Sequence, residues 1–310
     1  MKRDLITIAD LTDDEILSIF REAQRFSTLN LDEKRALRGK LKARRSLLMF
    51  YEPSTRTRVS FEVAALTFGM SRCVVTADSS SVVKGESIAD TAQTFGAMGI
   101  DLAIVRHPAD EGVAEFARNF PSPVINGGSG KAAHPTQALL DAYALWKRGL
   151  LKEGLHIVIC GDILHSRVAR SNVELLNRLG ITPVLCGPKE LMPPELQAEG
   201  PALFCGQKVE ARFNLDGLLP EIDALMMLRT QLERHGDKGA FSQEDFVAGY
   251  QVNAERLKRL RKDALIMHPG PVMRGSELTD EAMADSRNIV LDQVTGGVHV
   301  RMALIALMVH

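Results

Sequence analysis

Short apolar runs alternate with amphipathic segments along most of the chain. The runs occupy residues 46–50, 72–77, 101–106, 124–125, 155–160, 181–186, 202–205, 224–228 and 264–267. Short, nearly uninterrupted apolar runs are typical of strands that are buried on both faces of a parallel sheet. Because segments with helical periodicity fill most of the intervals, the pattern predicts an α/β fold with helices covering parallel sheets.

Helix signals place the longer elements between these strands. Thr12 followed by Glu15 forms a capping-box pattern, and the apolar positions after it predict a first helix. Pro135 opens a long amphipathic segment that is expected to continue to Gly149. The charged residues 32–45 are expected to form a solvated connection. Further helices are expected at 87–98, at 111–119, in a segment ending at 178, and from about 294 to 308.

The chain length predicts two domains. A chain of 310 residues exceeds one ordinary core and fits two domains of roughly 150 residues each. We expect a first domain at 1–148, with a C-terminal helix at about 290–310 packing back on it, and a second domain at 149–289. The expected architecture is therefore two doubly wound parallel-sheet domains joined by bridging helices.

Composition narrows the class of protein. The formal net charge is −1, so no global basic field favours nucleic acid or a membrane surface as a partner. The first ten residues contain no long apolar core, and no uncharged apolar run reaches 18 residues, so we expect a soluble cytoplasmic protein. The four cysteines lie far apart without a Cys-x-x-Cys pair, which predicts buried, reduced thiols and no metal site.

The segment from Phe50 to Arg58 combines the features of an anion site. An apolar strand ends there, Pro53 stops it, and Ser54 is placed to cap the helix that follows. The N-terminus of a helix presents backbone N–H groups and a positive dipole end, to which residues 54–58 add hydroxyls and two guanidinium groups. This combination suits a phosphate. The alternative is an N-capped helix whose arginines are merely solvated.

Polar residues follow several other predicted strands. Parallel doubly wound sheets bind ligands beyond the carboxyl ends of their strands, so these positions gather at the same edge. Taken singly, each is an ordinary loop residue, but their agreement at so many strand ends predicts a site. They are Arg106-His107-Pro108, His134 to Gln137, Gly161-Asp162 with Arg167, Arg229-Thr230-Gln231, and His268 to Pro271, together with Lys84 in a loop at 79–86 that could act as a lid.

Nucleotide-binding alternatives lack their motifs. Asp162 follows an apolar strand, as the carboxylate that binds a nucleotide ribose does. However, no G-x-G-x-x-G surrounds Asp162, and no G-x-x-x-x-G-K-[ST] occurs in the chain. The sequence therefore argues against both a dinucleotide enzyme and a P-loop NTPase.

The order and spacing of these motifs resemble the catalytic chains of the aspartate carbamoyltransferase family. The resemblance covers essentially the whole chain. Ornithine enzymes of the same superfamily typically carry a Ser-Met-Gly loop and a His-Cys-Leu-Pro motif, and this chain has neither. It departs from the enteric members at His-Pro-Gly-Pro, where they have His-Pro-Leu-Pro, a change that backbone contacts should tolerate. The matching motifs are Ser-Thr-Arg-Thr-Arg at 54–58, Lys-Gly-Glu at 84–86, Arg-His-Pro at 106–108, His-Pro-Thr-Gln at 134–137, Arg-x-Gln-x-Glu-Arg at 229–234, and His-Pro-Gly-Pro at 268–271.

The resemblance implies a reaction and a set of site residues. The amine of L-aspartate attacks carbamoyl phosphate, phosphate leaves, and no cofactor or metal takes part. Arg56, Thr57, Arg106 and His134 are implied as the catalytic residues, the last three at the developing oxyanion. The residues implied to bind carbamoyl phosphate are Ser54, Thr55, Arg56, Thr57, Ser80, Arg106, His134, Gln137, Pro269, Gly270 and Pro271, and those implied to bind aspartate are Lys84, Arg167, Arg229 and Gln231.

The resemblance also implies an assembly. The active unit is expected to be a homotrimer with shared sites, in which Ser80 and Lys84 enter from the neighbouring chain. The phosphate and aspartate residues are expected on different domains, so that closure brings the reactants together. A regulatory chain or a dihydroorotase as a further partner stays open. Two other functions also stay open, namely a carbamoyltransferase for a different amine and a catalytically dead assembly subunit.

Overall fold

The computed structural model describes residues 4–76, 85–230 and 242–309. The chain forms two compact units, one made of residues 1–143 and 294–310 and the other of residues 144–293. The boundaries expected from the sequence were 148/149 and about 290. The chain passes from one unit to the other within two helices, Pro135–Trp146 and Val290–Met308.

The first unit contains a four-stranded parallel sheet in the order β2-β1-β3-β4. β1 lies inside the sheet, between β2 and β3. The strands are β1 Arg45–Phe50, β2 Ser71–Thr76, β3 Leu102–His107 and β4 Val124–Ser129. The helices of this unit are α1 Asp13–Ser27, α2 Leu31–Leu37, α3 Thr55–Thr67, α4 Ile88–Ala97, α5 Gly112–Asn119, α6 Pro135–Trp146 and the final helix α12 Val290–Met308, of which α6 and α12 cross the unit boundary.

Two predictions for the first part of this unit have opposite outcomes. The capping box is present, because the Thr12 hydroxyl accepts from the Glu15 N–H at 3.3 Å and the Glu15 carboxylate accepts from the Thr12 N–H at 2.8 Å. The solvated connection at 32–45 was wrong in its first part, because α2 lies there. Asn30 caps α2 and Glu33 completes a second capping box, a signal that the surrounding charges obscured.

Burial in the first sheet follows the expected two-sided pattern, with one exception. In β1 the residues from Leu47 to Phe50 are at most 2% exposed, and the β3 residues from Leu102 to Val105 are fully buried. The edge strand β2 instead exposes its first four residues, Ser71 to Val74. One edge of the sheet is therefore open to solvent in the single chain.

The second unit contains a six-stranded sheet in the order β10-β9-β5-β6-β8-β7. All its pairs are parallel except β7 with β8, which form a hairpin at one edge. The strands are β5 Ile157–Cys160, β6 Val184–Cys186, β7 Gly200–Phe204, β8 Gln207–Arg212, β9 Ala224–Met227 and β10 Leu265–Met267. The helices are α7 Arg167–Arg178, α8 Leu215–Leu218, α9 Gln243–Tyr250, α10 Ala254–Arg259 and α11 Asp280–Ala284.

The predicted fold class is confirmed, since both units are α/β domains built on parallel sheets. The hairpin is a departure from the expected purely parallel second sheet. β8 was missed because only Val209 and Ala211 are buried in it, so polar residues interrupt the apolar run.

Two core clusters cover the two faces of the second sheet. Ile157 and Ile159 point into one cluster, and Val158 and Cys160 point into the other, as alternation along a strand requires. Cys160 and Cys186 are buried free thiols, as expected. Cys73 and Cys205 are free but exposed, so the expectation of burial was wrong for these two. Cys73 lies on the open edge strand β2, and Cys205 lies in the turn between β7 and β8.

The final helix α12 carries a buried cation. By length and composition α12 could span a membrane, but 56% of its most apolar stretch is buried inside the protein, as in a core helix. Arg301 is only 4% exposed, and its guanidinium lies 5.1 Å from the centre of the Phe61 ring in α3. Burial lowers the pKa of Arg301 to about 10, and attraction to Asp141 in α6 opposes that shift. One buried charge thus connects α3, α6 and α12.

We expect Arg301→Leu to lower the free energy of unfolding by about 3–5 kcal/mol, because it removes a buried positive charge that attracts the buried Asp141 carboxylate. Adding Asp141→Asn should recover part of the loss, since no buried charge then remains. Urea unfolding measures both changes. Arg35→Leu is the matched control, because the Arg35 side chain is 71% exposed and should change stability little. Equal stability of Arg301→Leu and the wild type would contradict the account.

Candidate active site

The helix α3 begins at the predicted anion turn. Ser54 occupies the N-cap position, and the first helical bond runs from the Arg58 N–H to the Ser54 carbonyl at 3.1 Å. Among the described residues, the Ser54 hydroxyl accepts no capping hydrogen bond, whereas Ser87 and Ser166 cap α4 and α7 with theirs. The N–H groups of residues 55–57 precede the first helical donor, so they have no acceptor within the helix. The turn therefore offers a row of donors to an anion.

The two arginines of the turn differ in their surroundings. Arg58 pairs with Glu62 one turn further along α3, with 3.4 Å between Nε and Oε1. Arg56 reaches the surface, yet desolvation lowers its pKa from the ordinary value. A desolvated guanidinium gains when an anion binds beside it, because the added negative charge favours its protonated form. Arg56 is therefore the better candidate of the two for a phosphate ligand.

Arg106 lies near the end of β3, at the same carboxyl edge of the sheet as the anion turn. Its guanidinium forms an ion pair with Glu52, the residue before Pro53, and its Nη1 donates to the Gly127 carbonyl at 3.3 Å. The side chains of Arg106 and Glu52 are 13% and 25% exposed, so the pair is partly shielded from solvent. A phosphate bound at Arg106 would share or replace the Glu52 carboxylate. Glu52 was missed from the sequence, although it lies inside the quoted anion segment.

His107, the neighbour of Arg106, stabilises the loop after β3. Its Nδ1 accepts from the Ala109 N–H at 3.0 Å, and its ring lies 4.7 Å from the Tyr51 ring. Burial lowers the pKa of His107 and raises that of Tyr51 to about 12, so both rings are neutral near pH 7. His107 thus anchors the turn after β3 and adds no positive charge to the anion site.

The start of α6 presents His134 and Gln137. His134 is 4% exposed, and its carbonyl accepts from the Gln137 N–H at 3.0 Å, which places it at the beginning of the helix. The Gln137 Nε2 donates to the buried Asp141 at 2.9 Å. An ionised carboxylate only accepts hydrogen bonds, so this contact fixes the amide flip and directs the Gln137 oxygen away from Asp141. The oxygen of Gln137 is then the end that can accept from an NH₂ group.

In the second unit, Arg167 begins α7. Ser166 caps this helix by accepting from the Ala169 N–H at 3.0 Å. The loop before it is held by Asp162, which is fully buried and accepts from both the backbone N–H and the ring Nδ1 of His165, at 3.1 and 2.9 Å. Asp162 therefore organises the loop that carries Arg167, a role that sequence alone did not assign.

Arg229 lies at the end of β9, and it is half-buried. Gly161, at the end of the neighbouring strand β5, allows the close approach of the two strand ends. Its φ is +135°, and a Cβ atom at this position would lie 2.6 Å from the Leu228 carbonyl oxygen. Any larger residue at Gly161 would displace the backbone immediately before Arg229.

The turn after β10 begins at His268 and extends to Pro271. The Gly270 N–H donates to the His268 Nδ1 at 2.8 Å, which closes the turn on the histidine ring. Gly270 has a φ of +73°, a conformation that glycine adopts without strain. This explains why a glycine suits the position where the enteric pattern has leucine. The predicted ligands Pro269, Gly270 and Pro271 all lie in this turn.

The described chain holds most, but not all, of the predicted site residues. Within the first unit, the structure gathers residues 54–58, Arg106, His134 and Gln137 at the carboxyl edge of its sheet. Within the second, Arg167, Arg229 and residues 269–271 follow strands of one sheet. Ser80, Lys84 and Gln231 lie outside the described residues. Among the described His, Cys, Asp and Glu residues, no group of three could hold a metal ion.

Two family models match the chain consecutively. Residues 3–147 match the carbamoyl-phosphate-binding domain of aspartate/ornithine carbamoyltransferases, and residues 153–308 match the aspartate/ornithine-binding domain. The two matches, over two α/β domains, define the class of the protein as a carbamoyl-group transferase. The chain belongs to the aspartate/ornithine carbamoyltransferase family.

Several individual relatives are named aspartate carbamoyltransferases. The chain is 44% identical to the aspartate carbamoyltransferase catalytic subunit of Corynebacterium urealyticum, over 98% of this chain and 94% of that one. It is 42% identical to the catalytic subunit of Koribacter versatilis, over 98% and 96% of the two chains. Among solved structures, the Trypanosoma cruzi aspartate transcarbamoylase with carbamoyl phosphate is 25% identical, with a TM-score of 0.83 over 99% of this chain and 97% of that one.

The fold itself does not separate the two branches of the family. Ornithine carbamoyltransferase from Pyrococcus furiosus is 28% identical, with a TM-score of 0.82 over 99% of this chain and 97% of that one. An ornithine enzyme and an aspartate enzyme therefore superpose about equally well on this chain. Substrate choice has to be argued from side chains.

We expect Arg56→Ala to weaken the binding of inorganic phosphate by roughly 2–4 kcal/mol, because it removes charged hydrogen bonds to the anion. Turnover should fall with it. Isothermal titration with phosphate measures the first effect. The control is Arg58→Ala, whose guanidinium is already paired with Glu62, and its binding should stay near that of the wild type. Near wild-type phosphate binding by Arg56→Ala would refute the anion-turn assignment.

Proposed function

We propose that the chain is an aspartate carbamoyltransferase. It transfers the carbamoyl group of carbamoyl phosphate to the amine of L-aspartate and gives N-carbamoyl-L-aspartate and phosphate, an early step of pyrimidine biosynthesis. The observation that carries the proposal is the pair of Arg167, at the start of α7, and Arg229, just after β9, in the second unit. Two guanidinium groups match the two carboxylates of aspartate, whereas the side chain of ornithine ends in a cation. The names of the relatives at 42–44% identity support the same choice.

Phosphate binding is assigned to the first unit. Ser54, Thr55, Arg56, Thr57 and Arg106 supply the donors, with Ser80 as a further proposed contact. Charge-assisted hydrogen bonds to phosphate are stronger than neutral ones, and they strengthen as the leaving phosphate gains charge. The pair of Arg106 with Glu52 keeps the guanidinium partly neutralised and directed while no anion is bound. Binding then exchanges one carboxylate partner for the phosphate.

Stabilisation of the oxyanion is assigned to Thr57, Arg106 and His134. Thr57 and His134 are 5% and 4% exposed, so donors there act with little competition from water. Gln137 orients the carbamoyl NH₂ through its amide oxygen, which the contact with Asp141 directs away from that carboxylate. The carbonyls of the turn at 269–271 are assigned the same NH₂ group. These groups position and polarise the reactant, and no side chain needs to form a covalent bond with it.

Aspartate binding is assigned to Lys84, Arg167, Arg229 and Gln231. Bidentate guanidinium–carboxylate pairs fix the orientation of the amine as well as its position. The dipole at the start of α7 adds to the positive potential at Arg167. The reaction therefore depends on placing a nucleophile against an electrostatically activated carbonyl.

We also propose that the active unit is a cytoplasmic homotrimer with shared sites. An exposed apolar stripe on α3 supports assembly, since Val59, Val63 and Leu66 are 43%, 42% and 39% exposed at helical spacing. The open edge strand β2 supports it too, because Val74 is 43% exposed there. α3 carries proposed phosphate residues in its first turn, and β2 pairs with β1, the strand before that turn, which fits a site completed by a neighbouring chain.

Formation of carbamoyl aspartate by the purified chain tests the activity, and Arg229→Ala tests the aspartate assignment. We expect this change to raise the KM for aspartate about 10- to 100-fold, because it removes charged hydrogen bonds from one carboxylate. The affinity for carbamoyl phosphate should change little. Arg261→Ala, which alters a surface ion pair of the same unit, is the control. Equal damage to both substrate affinities would contradict the division of labour between the units.

A subunit-mixing experiment tests the shared site. Lys84→Ala and His134→Ala trimers should each be nearly inactive, because each removes one contribution from every site. After exchange of subunits, some boundaries receive both lesions, one from each of the two chains, and others receive two intact contributions. Activity should then return to a fraction of the wild-type value, measured on verified mixed trimers. Mixed trimers as inactive as the parents would show that Lys84 acts within its own chain.

A further inference from the structure

A fully buried carboxylate lies behind the second unit's candidate site. Glu277 is 0% exposed, and the proposed reaction does not use it. Its Oε1 accepts from the Thr230 N–H at 3.3 Å and from the Ser276 hydroxyl at 3.2 Å. Its Oε2 accepts from the Met273 N–H at 2.9 Å. Both oxygens of one carboxylate are thus occupied by donors from different segments of the chain.

His268 lies on the other side of this carboxylate. Its side chain is fully buried, and its Nε2 lies 3.6 Å from the Glu277 Oε2. The Gly270 N–H donates to Nδ1, so in the neutral ring the proton is on Nε2 and faces Glu277. At 3.6 Å the attraction is electrostatic rather than a direct hydrogen bond. The backbone of His268 is held separately, because its N–H donates to Gln293 at 3.0 Å.

The buried group of Glu277 and His268 joins two turns that carry proposed substrate contacts. Thr230 follows Arg229 directly after β9, and its hydroxyl extends the network to Gln243 at 3.3 Å. Gln243 in turn donates to the Ser276 hydroxyl at 2.6 Å. The turn at 268–271, after β10, is closed on the His268 ring. Because β9 and β10 are paired neighbours, Glu277 lies where the ends of two adjacent strands must keep a fixed spacing.

The free-energy cost of burying the Glu277 carboxylate indicates that it has a specific structural role. Burying a carboxylate costs several kcal/mol and is tolerated only when its lone pairs are satisfied. A satisfied buried network fixes one arrangement of the segments that it joins. Only an acceptor with two oxygens can take N–H donors on both sides, as Glu277 does from Thr230 and Met273.

We propose that Glu277 and His268 form a positioning pair, which fixes the Arg229 strand end and the 268–271 turn relative to each other. The pair touches neither substrate, and the inference rests on the proposed function. Through Thr230 it sets the direction of Arg229 toward a carboxylate of aspartate. Through the His268 ring it sets the carbonyls of Pro269 and Gly270 toward the carbamoyl NH₂ group.

Glu277→Gln tests the carboxylate with almost no change of shape. A glutamine has one acceptor oxygen, so its NH₂ group must face one of the two backbone donors. We expect the KM for aspartate to rise about tenfold and kcat to fall, as for the loss of one well-placed hydrogen bond to a charged group. Inorganic phosphate binding should stay unchanged, because its proposed ligands lie in the first unit. Glu255→Gln, at a side chain that is 79% exposed, is the matched control.

Two substitutions of His268 separate its two contacts. Asparagine keeps an acceptor near the Nδ1 position for the Gly270 N–H but loses the group that faces Glu277. Glutamine places its amide nearer the Nε2 position and loses the acceptor for Gly270. We expect His268→Asn to raise the KM for aspartate, with less than additive effect in the Glu277→Gln background. His268→Gln should mainly lower kcat, because it disturbs the turn that carries the carbonyls.

The outcomes separate this inference from the proposed function. Carbamoyl aspartate formation by the wild type, with a raised KM in Glu277→Gln and His268→Asn and unchanged phosphate binding, supports the pair. Wild-type kinetics in both variants would overturn the pair alone. So would losses of activity and phosphate binding that follow a lowered Tm, since they indicate a structural role. An inactive wild-type chain would overturn the proposed function. If Glu277→Gln does not fold, His268→Asn alone decides by the same readouts.

Discussion

A parallel sheet buried on both faces excludes polar side chains from its middle, and the structure depends on this constraint. Leu47 to Phe50 in β1 and Ala224 to Met227 in β9 are almost completely buried, so these stretches offer no polar side chain. Polar chemistry can begin only where a strand ends. In parallel strands all these ends lie on one edge, which places the anion turn, Arg106 and His134 together in one unit and Arg229 beside the His268 turn in the other.

The donors at these edges are supported by a second layer of acidic side chains. Arg106 is paired with Glu52, Gln137 with Asp141, and the Thr230 turn with Glu277. Each acidic group fixes a donor in one orientation before a substrate arrives. Preorganisation of this kind lowers the cost of reorienting dipoles during the reaction. It has its own cost, because Asp141 and Glu277 are fully buried and persist only while their partners are present.

The sequence was most informative where a functional residue follows an apolar run. Arg106, His134 and Arg229 could be found because each lies at the end of an apolar run or in the loop that follows one. The supporting acids could not be found in the same way. Glu277 acts on Thr230, which is 47 residues away, so only the fold brings them together. Asp141 lies one helical turn from Gln137 and could have been recognised as an i, i+4 partner.

Elements that are only half-buried were also hard to predict. β8, which lies next to the edge strand β7, alternates buried and polar positions, and α2 is so highly charged that its capping box was overlooked. Ser80, Lys84 and Gln231 belong to segments outside the described residues, so their roles rest on the resemblance. Local pattern therefore predicts the scaffold well, whereas side-chain partners depend on packing between distant segments.

The first unit is discontinuous in sequence, and this sets an order of events during synthesis. Its last part, residues 294–310, emerges from the ribosome only after all of residues 144–293. At about 5–20 residues per second, the first 143 residues therefore wait on the order of 10–30 s before α12 and Arg301 can pack on them. During that interval Phe61 and Asp141 lack their final neighbour, while the second unit already has its whole sequence. The nascent chain can thus complete its inserted unit first, and the N-terminal unit becomes the last to close.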